Sequence, residues 1–507
     1  MGPVIKTKPR LACVDPPRLL AGLDEAYRLD RVGHLTVHGT MPALRADELV
    51  ALAENIDLRG RGGAGFPFAK KVTAVVEAAG RAGGRCNVVV NGSEGEPSCL
   101  KDTALLLHTP HLVIDGATLA AEAIGAEEVV IACHRPDVEE SLNAAIAERG
   151  PSGVPVEVSV TPDRFVAGEG GAVINGISGA PAIPNGRKIR SSENGLGGLP
   201  TLLSNTETYA QLAVAARMGA LPYRSVGLPT EPGTTLLTVG GKYVMETPTG
   251  VPLTYVLELC GLTPGQGVLV GGYHGKWLDP KSIGAATISR ESMKKYGARL
   301  GAGAVLPIPE DTCPLGETAR VARWLAAETA GQCGPCFIGL PALADAIGQV
   351  ERGGGQSSID NVRAYINSVR KRGACSHPDG TAGFVTTALD AFPEEFESHA
   401  MGAGCGRPTI GVLPMPEETQ PLALPPGPAV APPRAERQQR GPMEKLLVDW
   451  SLCQGHGLCA DILPPEVLTL GIDGYPSSAR MEVPRQLRNQ AVRAVRRCPA
   501  LALRIEE

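Results

Sequence analysis

The chain has 507 residues, of which 43% are hydrophobic and 20% charged, and a formal net charge of −5. That length exceeds one compact core and implies roughly two to four domains. The charge balance argues against nucleic acid or an anionic membrane surface as the main partner. No apolar run reaches the length of a membrane span. Met1-Gly2-Pro3-Val4-Ile5-Lys6 lacks the charged-then-apolar pattern of an export signal. The expectation is a cytoplasmic chain without a transmembrane segment.

In chain order, Glu48–Asn55 reads as a helix and runs into Leu58-Arg59-Gly60-Arg61-Gly62-Gly63-Ala64-Gly65-Phe66-Pro67. The glycines leave backbone N–H groups uncovered by side chains, and Lys70–Glu77 behind them reads as a helix. A glycine loop opening a helix is a seat for a phosphate. Gly60, Gly62 and Gly65 satisfy G-x-G-x-x-G, but a dinucleotide fingerprint needs a strand before it, and here a helix precedes. The apolar run Cys86–Val90 reads as a strand and ends in Asn91-Gly92-Ser93-Glu94-Gly95-Glu96-Pro97. Its amide and two carboxylates suit the polar edge of a flavin ring or a ribose.

Further on, Glu128–Ala132 and Val154–Val160 read as strands, and Ala104–Ile124 and Asp137–Arg149 as helices. This alternation implies an α/β layer with ligands at the strand C-termini. Residues 232–312 change to short β-like pieces such as Thr235–Val239 and Gly267–Gly271. From Gly316 to His399 the pattern is helical, with Val321, Trp324 and Leu325 on one face and Val362, Ile366 and Val369 on another, as in a bundle. Residues 411–442 hold nine prolines and no aromatic residue. Such a stretch reads as an extended, mobile linker.

Thirteen cysteines in a chain without an export signal call for something other than disulfides. Cys13, Cys86, Cys99, Cys133, Cys260 and Cys313 are scattered, and each reads as a buried small hydrophobe. The other seven crowd into the C-terminal third. Cys333-Gly334-Pro335-Cys336 alone is a thiol–disulfide motif, but that chemistry needs a preceding strand, and Glu317–Glu328 reads as helix. Cys453-x2-His456-x2-Cys459, with Cys498-Pro499, matches the ferredoxin run with one position altered. Leu446–Asp449 and Leu501–Ile505 fit paired strands of that fold. Arg485, Arg488, Arg493, Arg496 and Arg497 beside Cys498 read as a solvated face.

The glycine loop, the Asn91–Pro97 turn with Lys101-Asp102, and Ser204-Asn205-Thr206-Glu207-Thr208 together resemble the FMN-binding, NADH-oxidising subunit of respiratory complex I and of NAD-linked hydrogenases and formate dehydrogenases. Residues 443–507 resemble the single-cluster ferredoxins of actinobacteria. The resemblance implies an α/β class chain: an FMN/NAD(P)H-binding α/β domain (1–230), a β-grasp module (231–312), a helical iron–sulfur bundle (313–405), a Pro-rich linker (406–442) and a ferredoxin-like α+β domain (443–507).

By that resemblance Gly60, Arg61, Gly62, Gly63, Gly65 and Lys71 hold FMN, with Lys71 supplying positive charge. Asn91, Ser93 and Glu94 hydrogen-bond the flavin, Ser204 and Asn205 lie on its phosphate side, and Glu169 and Gly170 complete the cofactor site. Glu96 and Phe66 meet NAD(H); Glu94 and Glu96 are the candidate catalytic residues. The chain departs from the family at Ser93 (aspartate there), at Gly170-Gly171 (Glu-Thr), at Phe165 (tyrosine) and at Arg190 (an aromatic). Arginine can attract the extra phosphate of NADP(H), so both nucleotides stand.

The family's helical turn carries C-x2-C-x2-C and a later fourth cysteine around a [4Fe–4S] cluster. Here Cys333, Cys336 and Cys375 fill three places and Ala330 the first. The fourth position is open to water, Gln332, His377 or Cys405, for a [4Fe–4S] or [3Fe–4S] cluster. In the tail, Cys453, Cys459 and Cys498 hold [3Fe–4S], or [4Fe–4S] with His456 as fourth ligand. The implied function is electron transfer from NAD(P)H through FMN and a cluster to the fused ferredoxin domain, then to a protein acceptor or partner redox subunit. The competing readings are an electron-relay or assembly subunit that has lost nucleotide oxidation, and a thiol–disulfide catalyst at Cys333 and Cys336.

Overall fold

The computed structural model describes residues 8–14, 16–150, 153–185, 190–416, 444–460, 462–471, 475–484, 487–498 and 500–506. The expected linker lies outside the described residues from 417 onward, as do Arg485 and Pro499.

Four short runs, Asn87–Asn91, Val129–Cys133, Val156–Val160 and Thr201–Asn205, form an all-parallel sheet. Val88, Val89, Val90 and the whole of Val129–Cys133 are buried, as strands covered by helices on both faces must be. The spatial order is Val156–Val160, Val129–Cys133, Asn87–Asn91, Thr201–Asn205. The chain therefore moves outward from Asn87–Asn91 to one edge and returns on its other side. This reversal opens a crevice at the ends of two neighbouring strands, where Asn91 and Asn205 are register partners. Ligands of open α/β sheets bind at such a switch point.

The helix expected over Ala104–Ile124 is two helices, Lys101–His108 and Pro110–Ile124, meeting at 95°. Pro110 lacks the N–H that would continue the first, and its fixed φ starts the second. Both are buried against Thr206–Met218 and the sheet. Among the described residues no single helix is long and apolar enough to cross a membrane.

A second, mixed sheet has six strands in the order Arg10–Cys13, Tyr243–Pro248, Thr234–Val239, Ala304–Ile308, Gly267–Val270, Lys276–Leu278. Arg10–Cys13, expected with the first domain, pairs in parallel with Tyr243–Pro248. The buried Glu246 carboxylate anchors the segment after it by accepting from the backbone N–H groups of Arg18, Leu19 and Leu20. Because that strand is an edge, Cys13 is exposed, contrary to the expectation; Cys86, Cys99, Cys133, Cys260 and Cys313 are buried.

The helices Pro314–Ala327, Leu340–Glu351, Gln356–Val369, His377–Ala391 and Pro393–Ala400 pack around Val321, Leu325, Val362, Ile366 and Val369. In the C-terminal part Glu444–Val448 pairs antiparallel with Leu503–Glu506, as expected, and also with Arg480–Val483, a strand without a clear signal in the sequence.

Candidate functional site

The glycine loop is a closed lobe. Arg59 and Pro67 bridge at its base, and Gly60 N–H donates to the Phe66 carbonyl at 2.9 Å. The helix Ala46–Asn55 leads into it, where a Rossmann fingerprint requires a strand. Gly63 (φ +108°) and Gly65 (φ +62°) adopt backbone that only glycine takes readily. A Cβ on Gly62 would lie 3.3 Å from the Asn205 Cβ, so the lobe closes over the switch point. Phe66 stands half-exposed at its rim.

Basic groups line the floor. Lys71, on the helix Phe68–Arg81, is half-buried and donates to the Leu203 carbonyl at 2.7 Å. Burial pulls its ammonium down to about 8. An anion beside Lys71 would restore that charge, so the site fits a phosphate. The Arg61 guanidinium lies 3.9 Å from Glu207, and its buried Nε has no hydrogen-bond partner. Arg61 N–H donates to Thr208 Oγ1 at 3.0 Å.

Asn205 is held by a buried charged cluster. Lys101 Nζ donates to Asp102 at 2.7 Å and to Asn205 Oδ1 at 3.1 Å, and lies 3.2 Å from Glu207. Asn205 Nδ2 donates to Asp102 at 2.5 Å. In the sequence Lys101, Asp102 and Glu207 stand only as motif letters. Two adjacent charges opening an otherwise apolar helix are the available signal. Ser204 is buried beside them near the end of its strand.

Asn91 donates to the Gly168 carbonyl at 2.9 Å and accepts from Ser93 N–H at 3.1 Å, while Ser93 Oγ meets Thr161 Oγ1 at 2.7 Å. Glu94 and Glu96 have different hydrogen-bond partners. Glu94 caps the helix Lys101–His108, accepting from the N–H groups of Asp102 (3.1 Å) and Thr103 (2.9 Å). Burial and the Asp102 charge push it up to about 7. Glu96 accepts from Ser98 Oγ and Tyr273 N–H, each at 2.5 Å. Tyr273 lies 177 residues away and acts through its backbone, so no side-chain pattern marks it. Glu169 caps the helix Gly170–Ile177 through the Gly171 and Ala172 N–H groups.

Burial also pushes Glu96 up to about 7 from its ordinary 4.5. The folded apoprotein then holds a proton that the unfolded chain releases between these values. Its contribution to stability is full below about 4.5 and is lost as pH rises through about 7. Urea midpoints of the apoprotein should fall across this window, and Glu96→Gln should flatten the slope. An unchanged slope in the variant would show that Glu96 is ionised throughout.

Phe165 N–H donates to Glu328 at 2.9 Å, and the Phe165 ring packs edge-on against Trp324 and His274. The segment Arg164–Glu169 thus joins the switch point to the helical bundle. There Cys333 and Cys336 are buried neighbours whose proximity pushes the Cys336 thiol up, with Cys375 close enough to add to the effect. The same pairing pulls the Cys333 thiol down. Three gathered thiols fit a cluster.

Two of the suggested fourth ligands are engaged elsewhere. His377 directs Nε2 to the Leu325 carbonyl (2.8 Å) and Nδ1 to His274 (3.2 Å). Cys405 sits with Cys313, at the other end of the helix Pro314–Ala327. Cys453, His456, Cys459 and Cys498 line one recess in the C-terminal part. Its first loop touches the bundle: a Cβ on Gly334 would lie 3.0 Å from Asp449 Oδ1, and Trp450 packs against the bundle core.

A phosphate-ready lobe at a parallel-sheet switch point, followed by two cysteine sets, defines a nucleotide-binding redox protein. Residues 53–214 match the Nuo51 FMN-binding domain, 317–399 the NADH-ubiquinone oxidoreductase-F iron-sulfur binding region, and 446–505 a 4Fe-4S single cluster domain. The NADH-quinone oxidoreductase F subunit of Mycobacterium bovis is 30% identical over 399 residues, 72% of this chain and 87% of that one. Its counterpart in Streptomyces coelicolor is 28% identical over 77% of this chain and 94% of its own length. The NADP-reducing hydrogenase subunit HndC of Solidesulfovibrio fructosivorans is 27% identical over 71% and 77% respectively. An NAD+-reducing [NiFe]-hydrogenase crystal structure superposes with TM-score 0.67 at 25% identity, over 77% of this chain and 68% of that one. The chain belongs to the family of NADH-quinone oxidoreductase F subunits.

Proposed function

We propose that the chain oxidises NADH at a flavin held in the switch-point crevice and delivers electrons to its own ferredoxin domain. The observation that carries this is continuity. The segment Arg164–Glu169 ties the crevice to the bundle beside His377, and Asp449–Trp450 sits on the Cys333 turn. FMN, when bound, accepts the two electrons of a hydride and releases them singly, as iron–sulfur clusters require.

The chain's own residues bind and orient. Gly62, Gly63 and Gly65 let backbone approach the cofactor, while Arg61 and Lys71 offer charge to its phosphate. Ser204 and Asn205 stand on the phosphate side; Asn91 and Ser93 form the ring side. Glu94 and Glu169 fix the positions of two helices beside the crevice. Glu96 and Phe66 form the nucleotide side. Cys333, Cys336 and Cys375 hold one cluster. Cys453, Cys459 and Cys498 hold the other, with His456 at its mouth. The partner class is a protein redox acceptor or companion subunit. Thirteen cysteines with no disulfide among the described residues suit a reducing, cytoplasmic setting.

The test is anaerobic titration of the full chain with NADH and, separately, NADPH. NADH is expected to bleach the flavin band and then the broad iron–sulfur absorbance. If dithionite bleaches both and neither nucleotide does, the chain is an electron relay without nucleotide oxidation.

A further inference from the structure

Cys313, Glu395, His399 and Cys405 form a second donor set that neither the flavin nor the cluster sites use. One ligand atom from each lies within 4.8 Å of all the others. Cys313 is buried at the head of the helix Pro314–Ala327, where its Sγ accepts the Gly316 N–H at 3.3 Å. A helix N-terminus favours a thiolate. His399 Nε2 approaches that sulfur at 3.4 Å. Glu395 and His399 are one turn apart on the helix Pro393–Ala400 and so share a face. Cys405 comes from the loop that follows.

The Glu395 carboxylate is half satisfied. Arg407 donates to Oε1, while Oε2 is buried without a hydrogen-bond partner and lies 4.0 Å from His399 Nε2. A buried carboxylate oxygen left unpaired is costly, and a cation between the four groups would satisfy it. The set is remote from the cluster cysteines. A helix of 14 residues, about 21 Å long, separates Cys313 from the Cys333 turn.

We infer that Cys313, Cys405, His399 and Glu395 bind one structural zinc ion. Two sulfurs, one imidazole nitrogen and one carboxylate oxygen make a closed four-ligand set of the kind zinc takes in tetrahedral sites. Binding sends the two thiol protons to solvent. The ion staples the segment after the bundle to the bundle's first helix. Gly411, Val412 and Leu413 then run back over that helix, donating their N–H groups to the buried Glu317.

The test is metal analysis of the full chain, purified without chelator. One zinc per chain is expected beside the iron. Cys405→Ser and His399→Ala should lose the zinc and keep flavin and iron. Arg407→Ala leaves all four ligands in place, removes the guanidinium that Glu395 and Gln266 share, and should weaken zinc about 10- to 100-fold against a chromogenic chelator. It serves should the ligand variants fail to fold. Cobalt-substituted chain should show a thiolate charge-transfer band that Cys405→Ser abolishes. A folded chain without zinc, iron in its place, or a Cys313–Cys405 disulfide found by mass spectrometry would overturn the assignment.

Discussion

Gly62→Val should strip the flavin from the chain while leaving it folded. Gly62 is the loop glycine whose side-chain direction faces the crevice: a Cβ there already lies 3.3 Å from the Asn205 Cβ. Valine adds two methyls to space bounded by the lobe and the strand end. Its backbone has no positive φ, so the substitution carries no left-handed strain. Gly63→Val is the poorer probe, since φ is +108° there and its Cβ would face Gly301. FMN affinity should fall at least about 100-fold, close to 3 kcal/mol. The melting temperature of the apoprotein should stay within a few degrees, because the loop contributes little to the buried core. Fluorescence of flavin released on denaturation measures the first quantity and circular dichroism the second. Stoichiometric flavin in the variant would place the cofactor elsewhere.

The parts of this site visible in the sequence are those where local chain chemistry decides the structure. Val88–Val90 can only be a buried strand, and the loop Gly60–Gly65 can only be backbone without side-chain cover. Cys453, Cys459 and Cys498 keep ferredoxin spacing, and they line one recess. What stays hidden is mostly tertiary. Glu94 and Glu169 also cap helices, accepting from N–H groups two to nine residues away, a role the sequence pattern does not show. Asn205 owes its position to a lysine and an aspartate more than 100 residues earlier. Arg10–Cys13 joins a sheet whose other strands begin at residue 234. Cys405 follows the Cys333 turn in sequence, whereas packing sends it to Cys313. The break at Pro110 is legible from the residue itself, yet the apolar run around it reads as one continuous helix.

Removing the ferredoxin domain should separate two activities that the full chain combines. Dye reduction by NADH needs only the flavin crevice, which the residues before the linker build in full, from the glycine loop to the backbone of Tyr273. A chain ended at Pro416 keeps the crevice, the bundle and the segment pinned by Glu317. Its dye reduction should stay within about two-fold of the full chain, since the flavin lobe and the removed domain are separate sites. Reduction of a protein acceptor should fall roughly 10- to 100-fold or more, because tethering supplies effective concentration that a separate domain lacks. The docked geometry sharpens this expectation. Asp449 and Trp450 hold the domain's first loop against the turn that carries Cys333 and Cys336. Truncation also uncovers the surface beneath Trp450, so a second variant is needed to separate docking from electron transfer. Cys459→Ser keeps that contact and removes one of the thiolates proposed for the tail cluster. It should reproduce the loss with the protein acceptor and spare the dye. If both variants reduce the protein acceptor at the full chain's rate, electrons leave from the Cys333 site directly to a partner, and the tail is not on their path.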